Sequence, residues 1–222
     1  MEDLPRGNPQ QLTGVGIQPT ETVAPGRADR HRSGCSQLRI SMHGLLFCQL
    51  ERFVVARHGR PTWTVLLGRA GLPGQHYRPD AVYEDAEMHQ LVNAAAALLD
   101  QPAEDIQEAF GVFLAPQLLQ LHTDLIQPQW RTLDLLLHTE TLIHGAVRQR
   151  DPRAEPPRLE ILQTGPQRLQ LNYRSPRNLS ATARGIIHGL AAHYGDGVQI
   201  TERLDADQHH QMIIDIQPAA AA

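Results

Sequence analysis

The hydrophobic repeat shifts from helical to alternating spacing beyond residue 150, and that shift fixes the fold class. From Met42 to Gln149 apolar residues recur at helical spacing. Leu46, Leu50, Phe53 and Val54 stand at i, i+4, i+7 and i+8, and Met88, Leu91, Val92, Ala95, Leu98 and Leu99 form a second stripe. Gly59-Arg60-Pro61 parts the first helix from a short one at Trp63, and the stretch from Gly71 to Tyr83 is turn-rich. Asp100-Gln101-Pro102 opens a helix carrying Ile106, Phe110, Phe113 and Leu114. Pro116 and Pro128 are expected to bound a segment with Leu118, Leu121 and Leu125, and a last long helix is expected over 132–149. Beyond Asp151-Pro152 and Pro156-Pro157 the period becomes two. Leu159 and Ile161 begin it, and Leu169, Leu171 and Tyr173 alternate with Arg168, Gln170 and Asn172. A helix over 180–194 intervenes, ended by Gly195-Asp196-Gly197. Val198, Ile200 and residues 212–216 then predict a closing hairpin around 205–208. The expected fold is α+β: a helical N-terminal subdomain packed on a C-terminal antiparallel sheet with helices.

Residues 1–41 lack such periodicity and hold four Pro and five Gly, so they are expected to be a disordered extension. Met42 is then a candidate start, the folded domain spans 42–217, and 218–222 is a short tail. No stretch reaches the roughly 20 apolar residues of a membrane span, and no secretory signal is apparent. The expectation is a cytoplasmic protein with both cysteines, Cys35 and Cys48, as free thiols. A net charge of −4 argues against nucleic acid as a partner. All 20 basic side chains are Arg, which removes Schiff-base and phosphate-loop lysines from the possible mechanisms. Twelve histidines stand out against this background.

One of them is set apart. At about 100° per residue, His144 falls inside the apolar stripe of Leu133, Leu136, Leu137 and Val147, whereas His138 falls off it. An imidazole there needs a partner for its nitrogen. A core histidine bonded to a backbone carbonyl satisfies that need, and so does a metal ligand. With no His four residues away and no Cys nearby, a lone ligand suits haem, whose porphyrin supplies four donors, better than mononuclear zinc. A second group is Tyr173-Arg174-Ser175-Pro176-Arg177. Read as an extended strand, it sets Tyr173, Ser175 and Arg177 on one side, a row suited to carboxylate oxygens.

Taken together, these residues resemble the haem nitric oxide/oxygen binding (H-NOX) family. The opening Met42-His43-Gly44-Leu45-Leu46 is similar to the family's start, and His144 follows the apolar pair Leu142-Ile143. Pro156-Pro157-Arg158-Leu159 comes next, with Pro157 13 residues after His144, and the Tyr-x-Ser-x-Arg signature begins 16 residues after Pro157. The resemblance implies haem b buried between the helical part and the sheet. It further implies His144 on the iron, Tyr173, Ser175 and Arg177 on the propionates, Pro157 against the porphyrin, and Leu46 touching the ring. Plain core packing accounts for Leu46 nearly as well. In the family, gas binds the other axial face and nitric oxide can weaken or break the iron–histidine bond, so that a partner reads the resulting shift. Members that bind O₂ use a distal Tyr; the matching position is Thr182, and another distal position is Leu50.

The implied function is a sensor of nitric oxide and CO with little O₂ affinity, not an enzyme, signalling to a histidine kinase or a cyclic-di-GMP enzyme. A cofactor-free interaction module of the same fold is the alternative, and a metal-dependent enzyme lacks a second ligand near His144. The remaining features read as structural. His188 and His193 lack ligand spacing, His209-His210 and Asp205/Asp207 border a turn, and Cys48 packs as a small apolar residue.

Overall fold

A computed structural model describes residues 41–219, which fall in one compact unit. The expected extension therefore lies outside the described residues, except Ser41. Two short strands, β1 (Ser41–His43) and β2 (Val82–Glu84), pair antiparallel. The periodicity placed Met42 at the head of a helix and 71–83 in turns, so this pairing was not legible. It arises because buried Met42 and Gly44 fasten this segment to the 78–83 loop. A Cβ on Gly44 would stand only 2.0 Å from the Arg78 carbonyl oxygen. His43 caps the following helix by accepting from the Leu45 N–H at 3.3 Å, and its other nitrogen lies 3.3 Å from Asp151.

Helices α1 (Gly44–His58), α2 (Arg60–Arg69), α3 (Asp85–Leu99) and α4 (Ala103–Leu121) form the helical half. Gly59 ends α1 at φ 82°, as the sequence indicated, but α2 begins at Arg60 rather than Trp63, with Pro61 inside its first turn. Phe47, Leu50, Phe53, Trp63, Leu66, Leu91 and Phe110 make one core, with Phe47 stacked on Tyr77 at 4.5 Å between ring centroids. Pro116 does not bound a helix: α4 runs through it. Proline removes the amide that would bond to Val112 oxygen. Gly189 packs there, where a Cβ would come within 2.8 Å of that oxygen.

Gly189 belongs to α7 (Ser180–Tyr194), and the α4–α7 crossing is the most extensive contact between any two elements. The backbones meet almost directly. A Cβ on Gly111 of α4 would sit 2.2 Å from Thr182 oxygen, and one on Gly185 of α7 would sit 2.0 Å from Glu108 oxygen.

The expected helix over 132–149 is three pieces. These are α5 (Thr132–His138), a π-helical segment over Thr139–His144, and α6 (Gly145–Arg150). In the π segment the Gly145 N–H donates to the Glu140 carbonyl, five residues back. Uniform 100° counting therefore loses phase here; such segments gather at functional sites. The sheet follows: β3 (Arg158–Gly165), β4 (Arg168–Arg174), β5 (Gly197–Leu204) and β6 (His210–Gln217), ordered β3-β4-β6-β5 and antiparallel throughout. Leu169, Leu171, Tyr173, Met212 and Ile214 face a second core with Leu135 and Leu136 of α5 and Ile187 of α7.

Asp196, in the turn after α7, anchors the start of α5. Its carboxylate accepts from Thr132 Oγ1 at 2.6 Å, Arg131 at 2.6 Å and the Ala219 N–H at 3.0 Å. Burial pushes its pKa up, but these hydrogen bonds outweigh that and hold it below the usual aspartate range. A depressed native pKa gives stability that is present above the ordinary value and lost as pH falls through the native one. Wild-type protein should therefore lose more stability than Asp196→Asn between about pH 5 and pH 2, as read by urea denaturation. Gly185→Ala should destabilise by about 3 kcal/mol, because a backbone carbonyl cannot move aside as a side chain would. A thermal midpoint unchanged by that substitution would contradict the close crossing.

Candidate functional site

His144 closes the π segment with its side chain 16% exposed, so it is mostly buried but not sealed in the core. Its Nδ1 lies 3.0 Å from Glu140 Oε2, one helical turn back. The same oxygen accepts the Leu159 N–H at 3.1 Å, and the other carboxylate oxygen accepts from Arg148. The Pro157 carbonyl lies against the same imidazole. Burial pushes the His144 pKa down, and the Glu140 carboxylate opposes this without cancelling it. Burial also pushes Glu140 up, but hydrogen bonds from His144, Arg148 and Leu159 more than offset it and hold the carboxyl low. Near neutral pH the pair is thus a neutral imidazole beside a carboxylate.

Tyr173 stands directly opposite Leu159 in the β3–β4 register. Its phenol is buried, which raises its pKa, while the Ser175 hydroxyl and the Leu179 N–H interact with it and pull the other way. The row from Tyr173 to Arg177 is not one extended strand face, as the pattern suggested. β4 ends at Arg174, and Ser175 Oγ accepts the Arg177 N–H at 3.2 Å, which folds the chain into a turn. Pro176, which donates no hydrogen bond, sits inside that turn. The turn brings the Arg177 side chain inward, where the residue is 7% exposed. Its Nε lies 2.9 Å from Asp85 at the head of α3, and its Nη2 lies 3.5 Å from the Glu155 carboxylate. Nη1 donates to the Glu155 carbonyl, and His89 Nε2 bonds the Arg177 carbonyl at 2.8 Å.

Residues 155–159 thus join the site. Glu155 takes Arg177, Pro157 meets His144, and Leu159 is tied to Glu140 while pairing with Tyr173. His144, Tyr173 and Arg177 meet this stretch, and Ser175 joins them through Tyr173 and the Arg177 N–H. Leu46 is half-buried in a cleft of about 270 Å³ between α1 and α4, beside Leu114 and Leu118. Leu50 and Thr182 are both buried. Sequence reasoning missed Glu140, Asp85, Glu155 and His89. Glu140 was legible as a carboxylate four residues before the histidine on one helix face. Asp85 and Glu155 reach Arg177 only through the fold.

The sequence pattern of the Haem-NO-binding family matches residues 43–202. The chain belongs to that family. An H-NOX protein from S. oneidensis, solved in the Fe(II)NO ligation state, is 28% identical with a TM-score of 0.73; the match covers 79% of this chain and 99% of that one. The same organism's SO2144 H-NOX domain, in the Fe(II)CO state, is 28% identical with a TM-score of 0.70, over 80% of this chain and 100% of that one. The unliganded Fe(II) H-NOX protein from K. algicida, at 19% identity and a TM-score of 0.73 over 82% and 100% of the two chains, shares the fold. Among curated proteins no match is found.

The donor set fits the family's cofactor. A neutral imidazole has one nitrogen held by a carboxylate, and a buried guanidinium already gathers two carboxylates, chemically the same groups as porphyrin propionates. Two other histidines have clear structural partners. His138 stacks on Trp130 at 4.4 Å, and His210 bridges Glu202 and Asn178. Donor atoms of Asp205, Asp207 and His209 lie within 4.8 Å of one another, but Asp205 is occupied in accepting the Asp207 and His209 N–H groups of its turn. Cys48 donates to the Tyr77 carbonyl, and burial raises its pKa, so it is a protonated thiol.

Arg177 has a structural share as well. Truncating it strands Asp85, itself 7% exposed, as an uncompensated charge. Arg177→Ala should destabilise the haem-free protein by about 3 kcal/mol. An accompanying Asp85→Leu should recover most of that loss in urea denaturation, and a failure to recover would mean that the two residues are not coupled.

Proposed function

We propose that this protein is a haem-based sensor of nitric oxide and carbon monoxide. The observation that carries this reading is the half-buried His144–Glu140 pair set beside the stretch that Arg177 clamps. His144 would hold the iron through Nε2, and Tyr173, Ser175 and Arg177 would hold the propionates of haem b. Pro157 would press on the porphyrin, and Leu46 would line the ring from α1. The bound cofactor would supply the iron at which a diatomic gas coordinates. The chain's own part is to present a neutral imidazole, to hold the propionates by charge, and to shield the site with apolar walls.

Weak O₂ binding follows from the same residues. Bound O₂ carries partial negative charge and needs a positioned donor, whereas nitric oxide and CO depend on one far less. Leu50 offers no donor, and Thr182 offers a short hydroxyl where a Tyr would reach further. The S. oneidensis proteins with nitric oxide and CO ligated support the choice of gases. The reading is of a sensor and not an enzyme. A gas that favours one of two protein states shifts their balance, and a partner that reads those states carries the signal. That partner is proposed to be a separate histidine kinase or cyclic-di-GMP enzyme in the cytoplasm. Among the described residues no helix is long and apolar enough to cross a membrane.

The purified protein should show a strong Soret band that shifts with nitric oxide and with CO and gives no stable O₂ complex in air. His144→Gly should lose iron ligation unless free imidazole is supplied. A protein that stays colourless on haem addition would instead favour a cofactor-free interaction module, and a stable O₂ complex would defeat the proposed selectivity.

A further inference from the structure

Glu140 is the one ionised group bonded to the His144 ring, and its two oxygens are used differently. Oε2 meets His144 Nδ1 at 3.0 Å and also accepts the Leu159 N–H at 3.1 Å, while Oε1 takes Arg148. A carboxylate can only accept, so Nδ1 of the neutral imidazole must carry the proton. The Pro157 carbonyl also lies against the ring, but it is uncharged and the Glu140 carboxylate is the stronger acceptor, so the proton is held at Nδ1 and the lone pair is left on Nε2. The ring is also fixed in orientation. Glu140 is held from α6 by Arg148 and from β3 by the Leu159 amide, which fixes where Nδ1 of the ring points.

We propose that Glu140 is the positioning residue for His144: it selects the tautomer that offers Nε2 to iron, strengthens the ring as a donor, and ties the ligand-bearing helix to the sheet. This rests on the reading of His144 as the axial ligand. Outer-sphere carboxylates on metal-bound histidines act in this way, and losing one commonly costs 10–100-fold in metal affinity. The tie to Leu159 gives the contact a second effect. Leu159 pairs with Tyr173 across β3 and β4, so a displacement of the His144 ring is passed through Glu140 to the strand that carries the propionate-binding Tyr173.

Two variants separate these effects. Glu140→Gln keeps one oxygen that can meet both Nδ1–H and the Leu159 N–H but removes the charge. Glu140→Ala removes both. In the haem-free protein, ¹⁵N NMR of the histidine ring should show His144 protonated at Nδ1 in wild type and Glu140→Gln, and mixed between the nitrogens in Glu140→Ala. In the haem-loaded Fe(II) protein, the iron–histidine stretch in resonance Raman should fall from wild type to Glu140→Gln to Glu140→Ala. Transfer of haem to apomyoglobin should be about tenfold faster in Glu140→Ala. Arg148→Met, which leaves the His144–Glu140 contact in place, should keep the wild-type tautomer.

The same tautomer in wild type and Glu140→Ala, or an iron–histidine stretch unchanged by either variant, would overturn the role assigned to Glu140 while leaving the sensor reading intact. A wild-type protein that takes up no haem would overturn both. The NMR comparison would still report whether Glu140 sets the ring.

Discussion

The helical core and the sheet core are joined where α4 and α7 cross with almost no side chain between them. Gly111 and Gly185 let each helix rest on the other's carbonyl oxygens, and Gly189 fills the place beside Pro116. Most of the remaining structure hangs from this crossing. Leu114 of α4 belongs to the helical core and Ala115 to the sheet core, and Ile186 of α7 packs against both. A contact made by backbone against backbone cannot relax by changing a rotamer, so it fixes the two halves at one separation.

That fixed frame is what makes a charged site tolerable inside the protein. Arg177, Asp85, Glu140 and His144 are all largely removed from water, which is costly for charges without partners. Each has partners from separate elements: α3 and the 155–157 stretch for Arg177, α6 and β3 for Glu140. The pairs also serve as cross-links. Arg177 links the loop after β4 to the head of α3, and Glu140 links the π segment to β3. The chain between β4 and α7 and the chain between α6 and β3 therefore meet at one place.

Much of the architecture was legible because hydrophobic period reports local geometry directly. The stripes at 46–54 and 88–99 became α1 and α3, and the alternation at 169–173 became β4. The departures occur where tertiary contacts override local preference. Pro116 lies within a helix because the helix gains its hold from α7, so one lost hydrogen bond is outweighed by packing. The helix expected over 132–149 contains a π segment, and the Glu140 side chain within it bonds to Leu159 and Arg148 on other elements. The β1–β2 pair was hidden because three-residue strands carry too little alternation to show a period.

The candidate site divides in the same way. Sequence by itself determined the α+β class and marked His144, Pro157, Tyr173, Ser175 and Arg177, since their types and spacing are properties of the linear chain. It also held Glu140 in plain view, one helical turn before the histidine. Only the tertiary structure decided that Arg177 turns inward against Asp85 and Glu155, and that Leu159 and His144 share one carboxylate oxygen. The contacts to Arg177 and to Leu159 join residues 19 to 92 positions apart, and no local periodicity encodes which distant groups a fold will bring within hydrogen-bonding reach.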